Sequence, residues 1–322
     1  MGLLDWLFGR RTNPLRPVEI VQNISDHFMS LPSSEFAGHF SVSPNGRYRV
    51  AWGRSTGPTH KLPVSGPTGR YLLLEGNTVL AEGRLTRAED GRVANNGNFI
   101  INDWEDGSTL GGSLFAFDRA GREIICRHFN ANLFNNGLST DGRFAACHTC
   151  NSYDPDDSAI LAIFDLSAGR EVAHWRAESG WPDSYEFSAD GESISLGYKG
   201  FGAFRYSLTG DFIDRDIWID ACLTKGQYGT TILMVESLIK AASKELPAGL
   251  ASKLIAPLDR IDAELGTAEP QWRALALKLR GICLEASGAP VEALRCYEMA
   301  LELNPKIGVK RRADHLKKQR GQ

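Results

Sequence analysis

Residues 139–150 read Ser-Thr-Asp-Gly-Arg-Phe-Ala-Ala-Cys-His-Thr-Cys, a polar turn sequence followed directly by an apolar run. Asp-Gly and Asn-Gly tolerate the positive φ that tight hairpin turns need, so this pattern predicts a turn that opens into a strand. Related stretches place turn glycines at Gly46, Gly97 and Gly191, and together with Gly142 their spacings are 51, 45 and 49 residues. The first two thirds of the chain are therefore a repeat with a period of about 48 residues.

A second pair of β-rich runs around a glycine turn follows in each unit, at residues 72–83, 114–129, 161–175 and 204–218. Each unit is thus predicted to hold four strands, and a four-stranded meander with this period is typical of a propeller blade. Over about residues 38–220 the pattern resembles the blades of WD-repeat-like bacterial propellers, with Ser-x-Asp-Gly-Arg followed by Phe-Asp-Leu-x-x-Gly. The resemblance implies about four blades. A closed four-bladed ring, an open sheet arrangement and a ring completed by a second chain all remain open.

The sharpest local signal lies further on, at Ala274–Ile307. Small residues at Gly281, Ala293 and Ala300 suit two antiparallel helices that approach closely, and Tyr297 is expected to fill the space between them. This spacing resembles the tetratricopeptide repeat (TPR) over its 34 residues. The resemblance implies a helical hairpin of the kind that binds peptides and proteins.

The predicted fold class is a multidomain β + α protein, in which a small β-propeller of about four four-stranded antiparallel blades precedes an α-helical TPR-like hairpin module. The predicted domains are an N-terminal helical or extended segment at residues 1–37, a propeller-like domain at 38–222 and a helical domain at 223–322. Within the last domain, apolar residues three and four apart predict further amphipathic helices over 231–242 and 247–265.

Composition narrows the function classes. The chain has 322 residues and a formal net charge of -3, which gives no case for a general nucleic-acid binder. Its six cysteines lack the spacing of small secreted domains, which favours reduced thiols in a cytoplasmic protein, and the resemblance to bacterial propellers implies a bacterial one. Residues 3–8 form an apolar patch, and we weigh a membrane-surface or partner anchor against a short helix that covers an edge of the fold.

Within a blade, the short turns would lie on one rim and the long connections, at residues 54–69, 103–112 and 151–158, on the other. Long loops on a rigid scaffold are where binding usually occurs, and aromatic side chains among charges are typical of interaction hot spots. The alternative is that these loops are only solvated connections. The side chains predicted to contact a partner on this rim are Arg54, His60, Lys61, Asp103, Trp104, Glu105, Asp106, Tyr153, Asp154, Asp156, Asp157 and Trp181.

The helical module offers a second candidate surface, the groove side of the first repeat helix, with Leu275, Lys278, Ile282 and Glu285. TPR domains that clamp the terminal carboxylate of a chaperone pair a lysine with an asparagine one turn later. Ile282 stands at that spacing after Lys278, which argues against this specialised mode. A homodimer is a further possibility, because an array normally needs about three repeats to stand alone.

The sequence carries no nucleophile elbow, phosphate-binding loop or metalloprotease motif, and no cofactor is expected. The residue types of Cys126, His128, Cys147, His148 and Cys150 can bind zinc, and the alternative is that they are buried core residues. The acidic loops 103–106 and 154–157 could bind calcium, but they lack the regular alternation of a dedicated calcium loop.

The hypothesis that these observations favour is a non-catalytic adaptor or scaffold that binds other proteins through a propeller rim and a TPR groove. One alternative is a hydrolase or lyase with its pocket in the propeller channel. Another is an inhibitory or immunity-type binder in a bacterial conflict or defence system.

Overall fold

The structure is a computed structural model that describes residues 20–55, 68–105, 107, 110–242, 245–266 and 269–320. The chain divides between Ile213 and Asp214 into two compact units, one of strands and one of helices. The described strands form four antiparallel sheets, numbered here in chain order.

Sheets 2 and 3 each have four strands, and sheets 1 and 4 differ from that number. Sheet 1 contains β1 (Gln22–Ser25), β2 (Phe28–Leu31), β3 (Phe36–Val42), β4 (Tyr48–Ser55), β5 (Gly69–Glu75) and β6 (Thr78–Leu85). Sheet 2 contains β7 (Ala88–Val93), β8 (Phe99–Asp103), β9 (Gly112–Phe117) and β10 (Glu123–Phe129). Sheet 3 contains β11 (Leu133–Leu138), β12 (Phe144–Thr149), β13 (Leu161–Asp165) and β14 (Arg170–Trp175). Sheet 4 contains β15 (Ser184–Phe187), β16 (Ser193–Tyr198) and β17 (Gly202–Ser207).

The prediction of four blade-like antiparallel units followed by helices is confirmed, and the prediction of four strands in each unit is wrong at both ends. Sheet 1 gains β1 and β2 before the first predicted blade strand. In sheet 4 the predicted last strand is reduced to a bridge between Tyr206 and Phe212. A helix then begins at Arg215, because Trp218 and Cys222 are buried at helical spacing.

The sheets stack in chain order through shared apolar cores, and β12 shows how. Side chains alternate along a strand, so its residues face two neighbours. Ala145 and Cys147 pack into a core shared with β8 and β9 of sheet 2. Phe144 and Ala146 pack into a core shared with β16 and β17 of sheet 4. Both faces of sheet 3 are therefore buried, as expected for an inner blade.

The outward face of sheet 4 is polar. Ser193 and Ser195 on β16 are partly exposed there, and Arg205 on β17 is exposed. Among the described residues, none of the apolar cores joins sheet 4 to sheet 1. These observations favour the open arrangement over a closed ring.

The repeated turn sequence has a repeated hydrogen-bond pattern. Ser139 donates its hydroxyl hydrogen to the Asp141 carboxylate over 2.6 Å and accepts a bond from the Phe144 amide over 2.8 Å. Asp141 also accepts a bond from the Arg143 amide over 3.0 Å, and these hydrogen bonds, that from Ser139 first, lower the pKa of its carboxyl group. Gly142 at the turn has φ +75°, which a side chain rarely adopts.

Neighbouring turns also bind one another. The backbone amide of Asn45 donates to the Asn95 side-chain oxygen over 2.8 Å, and the backbone amide of Asn95 donates to the Thr140 carbonyl over 2.9 Å. We call the turns at residues 43–47, 94–98, 139–143 and 188–192 the short-turn rim. Its first three turns are linked across sheets 1, 2 and 3.

The described α-helices all belong to the second unit, and no described helix is long and apolar enough to cross a bilayer. They are α1 (Arg215–Lys225), α2 (Tyr228–Ala241), α3 (Ala248–Leu265), α4 (Pro270–Ala286), α5 (Pro290–Leu303) and α6 (Lys310–Arg320). The first of them starts before the predicted boundary at residue 223. Residues 3–8, the candidate anchor, lie outside the described residues.

Candidate functional site

The connections between sheets, and those between the two middle strands of sheets 2 and 3, lie at the opposite ends of the strands from the short turns. We call the described residues of these connections, 86–87, 104–105, 107, 110–111, 130–132, 150–160 and 176–183, the long-loop rim. A cleft of about 700 Å³ opens in it, within the usual size range of ligand pockets. The cleft is lined by Arg87, Trp104, Gly107, Leu110, Asn132, Leu133, Phe134 and Cys150.

Large aromatic side chains are exposed at and beside this rim cleft. Trp104 is 37% exposed, Phe134 43% and Trp181 41%. The ring centroids of Phe134 and Trp181 lie 5.9 Å apart, and the Arg87 guanidinium lies 5.3 Å from the centre of the Trp104 ring. The Trp181 indole nitrogen donates a bond to the Thr149 carbonyl over 2.9 Å. The rings are therefore held in place while each remains partly exposed.

Asp103 fixes the loop that carries Trp104. Its carboxylate is buried and accepts bonds from the amides of Thr86, Arg87 and Glu105 over 3.0, 2.7 and 3.0 Å. The Trp104 amide in turn donates to the Arg87 carbonyl over 3.0 Å. Asp103 thus positions the loop that lines the cleft, and its predicted contact with a partner stays a prediction.

Asp157 likewise holds the loop of residues 150–160 in place through bonds to its carboxylate. It is buried, and its carboxylate accepts bonds from Arg127 over 2.9 Å and from the Asn130 amide over 2.7 Å. Asp154 accepts bonds from the Asp156 amide over 2.9 Å and the Asn130 side chain over 2.8 Å, and these bonds lower the pKa of its carboxyl group. Of these three aspartates, Asp156 is exposed, Asp154 is partly buried and Asp157 is buried.

The other predicted rim residues have different surroundings. Tyr153 is 96% exposed, and Glu105 contacts His128. Arg54 lies in β4, opposite Gly69. The side chain of Arg54 and all of His60, Lys61 and Asp106 lie outside the described residues.

Arg87, Leu110 and Phe134 are among the cleft residues that the sequence did not predict. Phe134 lies within β11, where an apolar residue is expected to be buried. The strand pairing shifts between Leu133 and Asn135, and this irregularity turns Phe134 outward. For Leu110, the only signal in the sequence is that an apolar residue lies in a predicted loop.

A serine, a histidine and a glutamate meet beside the rim. The Ser113 hydroxyl lies 3.3 Å from the His128 Nδ1 atom, and the Glu105 carboxylate lies 2.8 Å from the same nitrogen. Activation of a serine in a triad uses both ring nitrogens, one for the serine and one for the carboxylate. The present geometry engages a single nitrogen, so it does not form a proton relay to Ser113.

The cysteines and histidines weighed for zinc are not brought together. Cys147 lies in the core between sheets 2 and 3, where burial raises the pKa of its thiol. His148 is buried 6.5 Å from the Trp181 ring, and burial lowers the pKa of its imidazole to about 4. Cys150 lines the rim cleft. Among the described residues, no group of three His, Cys, Asp or Glu side chains is arranged to hold a metal ion.

A second cleft, of about 470 Å³, lies where β3 of sheet 1 and β7 of sheet 2 come together. We call it the inner-strand cleft; it is lined by Asp26, His27, His39, Phe40, Ser41, Val42, Trp52, Asp90 and Arg92. Asp90 stands at a bulge in β7 with φ +30°, and its carbonyl accepts a bond from the Asn136 side chain over 2.7 Å. Strained, bulged residues of this kind are frequent at functional sites.

In the helical unit, α4 and α5 pack closely. A β-carbon at Gly281 would lie 2.4 Å from the Tyr297 ring, so this position needs glycine. Ala293 and Ala300 are fully buried beside that ring. Residues 274–307 match the tetratricopeptide repeat family.

No curated protein matches the sequence of the whole chain. Among solved structures, the chain is similar to the crystal structure of Kluyvelomyces marxianus Hsv2, with 10% sequence identity and a TM-score of 0.36. The likeness spans 59% of this chain and 59% of that chain.

The predicted groove residues of the TPR hairpin do not form one exposed set. Leu275 and Ile282 pack partly into apolar cores of the helical unit, and Lys278 is half-buried. The Glu285 carboxylate accepts bonds from the Tyr297 hydroxyl over 2.7 Å and from Arg312 of α6 over 2.8 Å. Glu285 therefore ties α6 to the hairpin, and the rim offers the better-formed surface.

Proposed function

We propose that this protein is a non-catalytic adaptor that binds another protein through the long-loop rim, with the TPR hairpin as a second contact surface. The exposed rings of Trp104, Phe134 and Trp181 around one cleft carry this proposal. Aromatic side chains that are rigidly held and surrounded by polar groups dominate the binding energy of protein interfaces. The TPR match supports a protein partner in general.

The test is recovery of crosslinked partners from cells that naturally make the protein. We expect a partner that the wild type retains and the double variant Trp104→Ala/Phe134→Ala loses. Leu233→Ala is the matched control, because Leu233 is 53% exposed on α2 of the other unit. An unchanged set of partners with the double variant would exclude the rim as the binding surface.

A hydrolase or lyase acting in the inner-strand cleft is the second candidate. Two imidazoles and two carboxylates line this cleft, which is the convergence of groups that such chemistry requires. The matched variants are His39→Asn for the cleft and His174→Asn for an exposed histidine on β14. Hydrolysis of ester and phosphoester substrates by the wild type that persists in His174→Asn and is lost in His39→Asn would support this candidate. Turnover by none of the three would exclude it for these substrates.

We further infer a cytoplasmic location, supported by six unpaired thiols, and independently folding domains near the predicted limits of 38–222 and 223–322. The inhibitory or immunity-type role and a homodimer stay predictions. Genomic neighbourhood tests the first, and sedimentation of the purified chain tests the second.

A further inference from the structure

The rim cleft has an apolar floor that is large enough for one bulky side chain of a partner. Trp104, Leu110 and Phe134 line it and are 37%, 46% and 43% exposed. Large apolar groups that stay accessible at one concave place mark an interaction site, whereas single exposed ones need no explanation. A partner would therefore anchor itself here with an aromatic or long aliphatic side chain.

An acidic edge, formed by Asp154 and Asp156, runs beside this cleft. The Cys150 amide donates to the carbonyl of Asn132 over 2.7 Å, and both residues line the cleft. Two residues along, Asn130 donates to the Asp154 carboxylate over 2.8 Å. The loop that bears the acidic edge is thus fastened against the strand connection that bears the cleft.

The arginines on the same rim are already engaged. Arg87, which lines the cleft, pairs with Glu89 over 3.4 Å and lies against the Trp104 ring. Arg127 pairs with Asp157 over 2.9 Å and Glu171 over 3.4 Å. Arg176 donates to the backbone carbonyls of Pro155 and Ser158. These cations are bound to neighbouring groups, whereas Asp156 is exposed and Asp154 is partly exposed beside the apolar floor. Among the described residues neither aspartate forms an ion pair, so their negative charges remain available to a partner.

We propose that the long-loop rim binds a short extended segment of a partner protein in which a bulky apolar residue is flanked by lysine or arginine. The apolar side chain fills the rim cleft, and the basic residue lies against Asp154 and Asp156. This inference rests on the proposed adaptor function and adds the chemistry of the partner. Charge complementarity of this kind chiefly sets the choice of partner and the rate of association.

The test uses synthetic eight-residue peptides with a central Trp, Phe or Leu flanked by Lys in one set and by Glu in the other. Fluorescence anisotropy with the full chain measures their affinities at low and high salt. We expect at least about tenfold tighter binding of the Lys-flanked set at low salt, with the preference shrinking at high salt because ions screen exposed charges. Asp156→Lys should remove the preference while the protein stays folded.

Two variants of the floor, Phe134→Ala and Leu110→Ser, test the anchor, and Leu233→Ala is the control. Both floor variants should weaken the Lys-flanked peptides about tenfold or more, and the control should not. Two variants are used so that misfolding of one, seen by circular dichroism, leaves the other decisive. Binding that ignores the floor variants would overturn the inference.

The outcomes separate this inference from the adaptor function. If peptides bind in the cleft without any charge preference, or with a preference for Glu, the inference of a basic partner segment is wrong and the rim remains a binding surface. If no peptide binds, the inference of a short extended segment is wrong. Loss of the cellular partner in Trp104→Ala/Phe134→Ala is measured separately and decides the adaptor function.

Discussion

Short polar side chains have different roles on the two rims of the sheet stack. On the short-turn rim, Ser139 and Asp141 satisfy their own turn, and the neighbouring turns bind each other. On the long-loop rim, Asp103 and Asp157 bind the neighbouring connections at residues 86–87 and 130–132, and so hold exposed rings and a cleft in place. The polar groups of the short-turn rim bind one another, and those of the long-loop rim hold an accessible surface in place. Stability and binding should therefore respond to substitutions at opposite ends of the strands.

The largest effect is expected for Trp104→Ala/Phe134→Ala. Hot-spot aromatics cost more than about 2 kcal/mol of binding free energy when truncated, which is roughly a thirtyfold loss of affinity. Because both rings are partly exposed, the free energy of unfolding should change by only about 1 kcal/mol. Titration calorimetry with the identified partner and urea unfolding measure the two quantities. A double variant that unfolds readily and binds normally would contradict the assignment of binding to the long-loop rim and stability to the short-turn rim.

The next effect tests the opposite rim. Ser139→Ala removes a buried hydroxyl that serves two hydrogen bonds, so unfolding should become easier by about 1–3 kcal/mol while partner affinity holds. Ser195→Ala, on the outward face of sheet 4, is the matched control and should change little. Urea unfolding of the three proteins checks this. A loss of affinity with unchanged stability would reverse the assignment of roles.

A smaller effect is expected for Trp181→Phe, which keeps a ring beside Phe134 but removes the donor to the Thr149 carbonyl. The lost bond should cost about 0.5–1.5 kcal/mol of stability. Affinity should fall less than with Trp104→Ala, because the apolar surface remains. The same two measurements apply, and an affinity loss as large as that of the double variant would show that the indole nitrogen itself contacts the partner.

The smallest effect concerns acid pH. The pKa of Asp141 is lowered in the folded protein, so its contribution to stability is present above the ordinary value of 3.8 and is lost as pH falls through the folded pKa. The variant Asp141→Asn should therefore lose less stability than the wild type below about pH 4, and the pH dependence of its stability between pH 6 and 8 should change little. Asn45 holds the same turn position without a charge. Urea midpoints measured from pH 7 down to pH 3 check this, and an acid slope as steep as that of the wild type would contradict it.

The turns were predictable because their chemistry is local. Ser, Asp and Gly at fixed offsets are sufficient to close such a turn, and the structure has these hydrogen bonds at Ser43, Ser139 and Ser188. The packing of α4 on α5 was predictable for a similar reason, since Gly281 and Tyr297 must meet at one crossing.

The end of sheet 4 was not predictable, because residues 211–218 suit both an extended run and a helix. The helix prevails through burial of Trp218 with Ala221 and Cys222 further along α1, a contact that strand patterning cannot reveal. At the rim, Trp104 and Trp181 were identified as exposed aromatics on long loops. That Asp103 is buried and Phe134 exposed depends on loop closure and on a strand irregularity, and neither has a sequence signal.

The polar outward face of sheet 4 has a consequence for how such proteins lengthen or shorten. In a closed ring, geometry fixes the number of blades, because the last must seal against the first. In this series each sheet contacts its neighbours, and Ser193, Ser195 and Arg205 end the stack as a terminal repeat ends a solenoid. A duplicated inner blade could then be inserted before sheet 4 without remaking any closure, so blade number becomes a quantity that gene duplication can change one unit at a time.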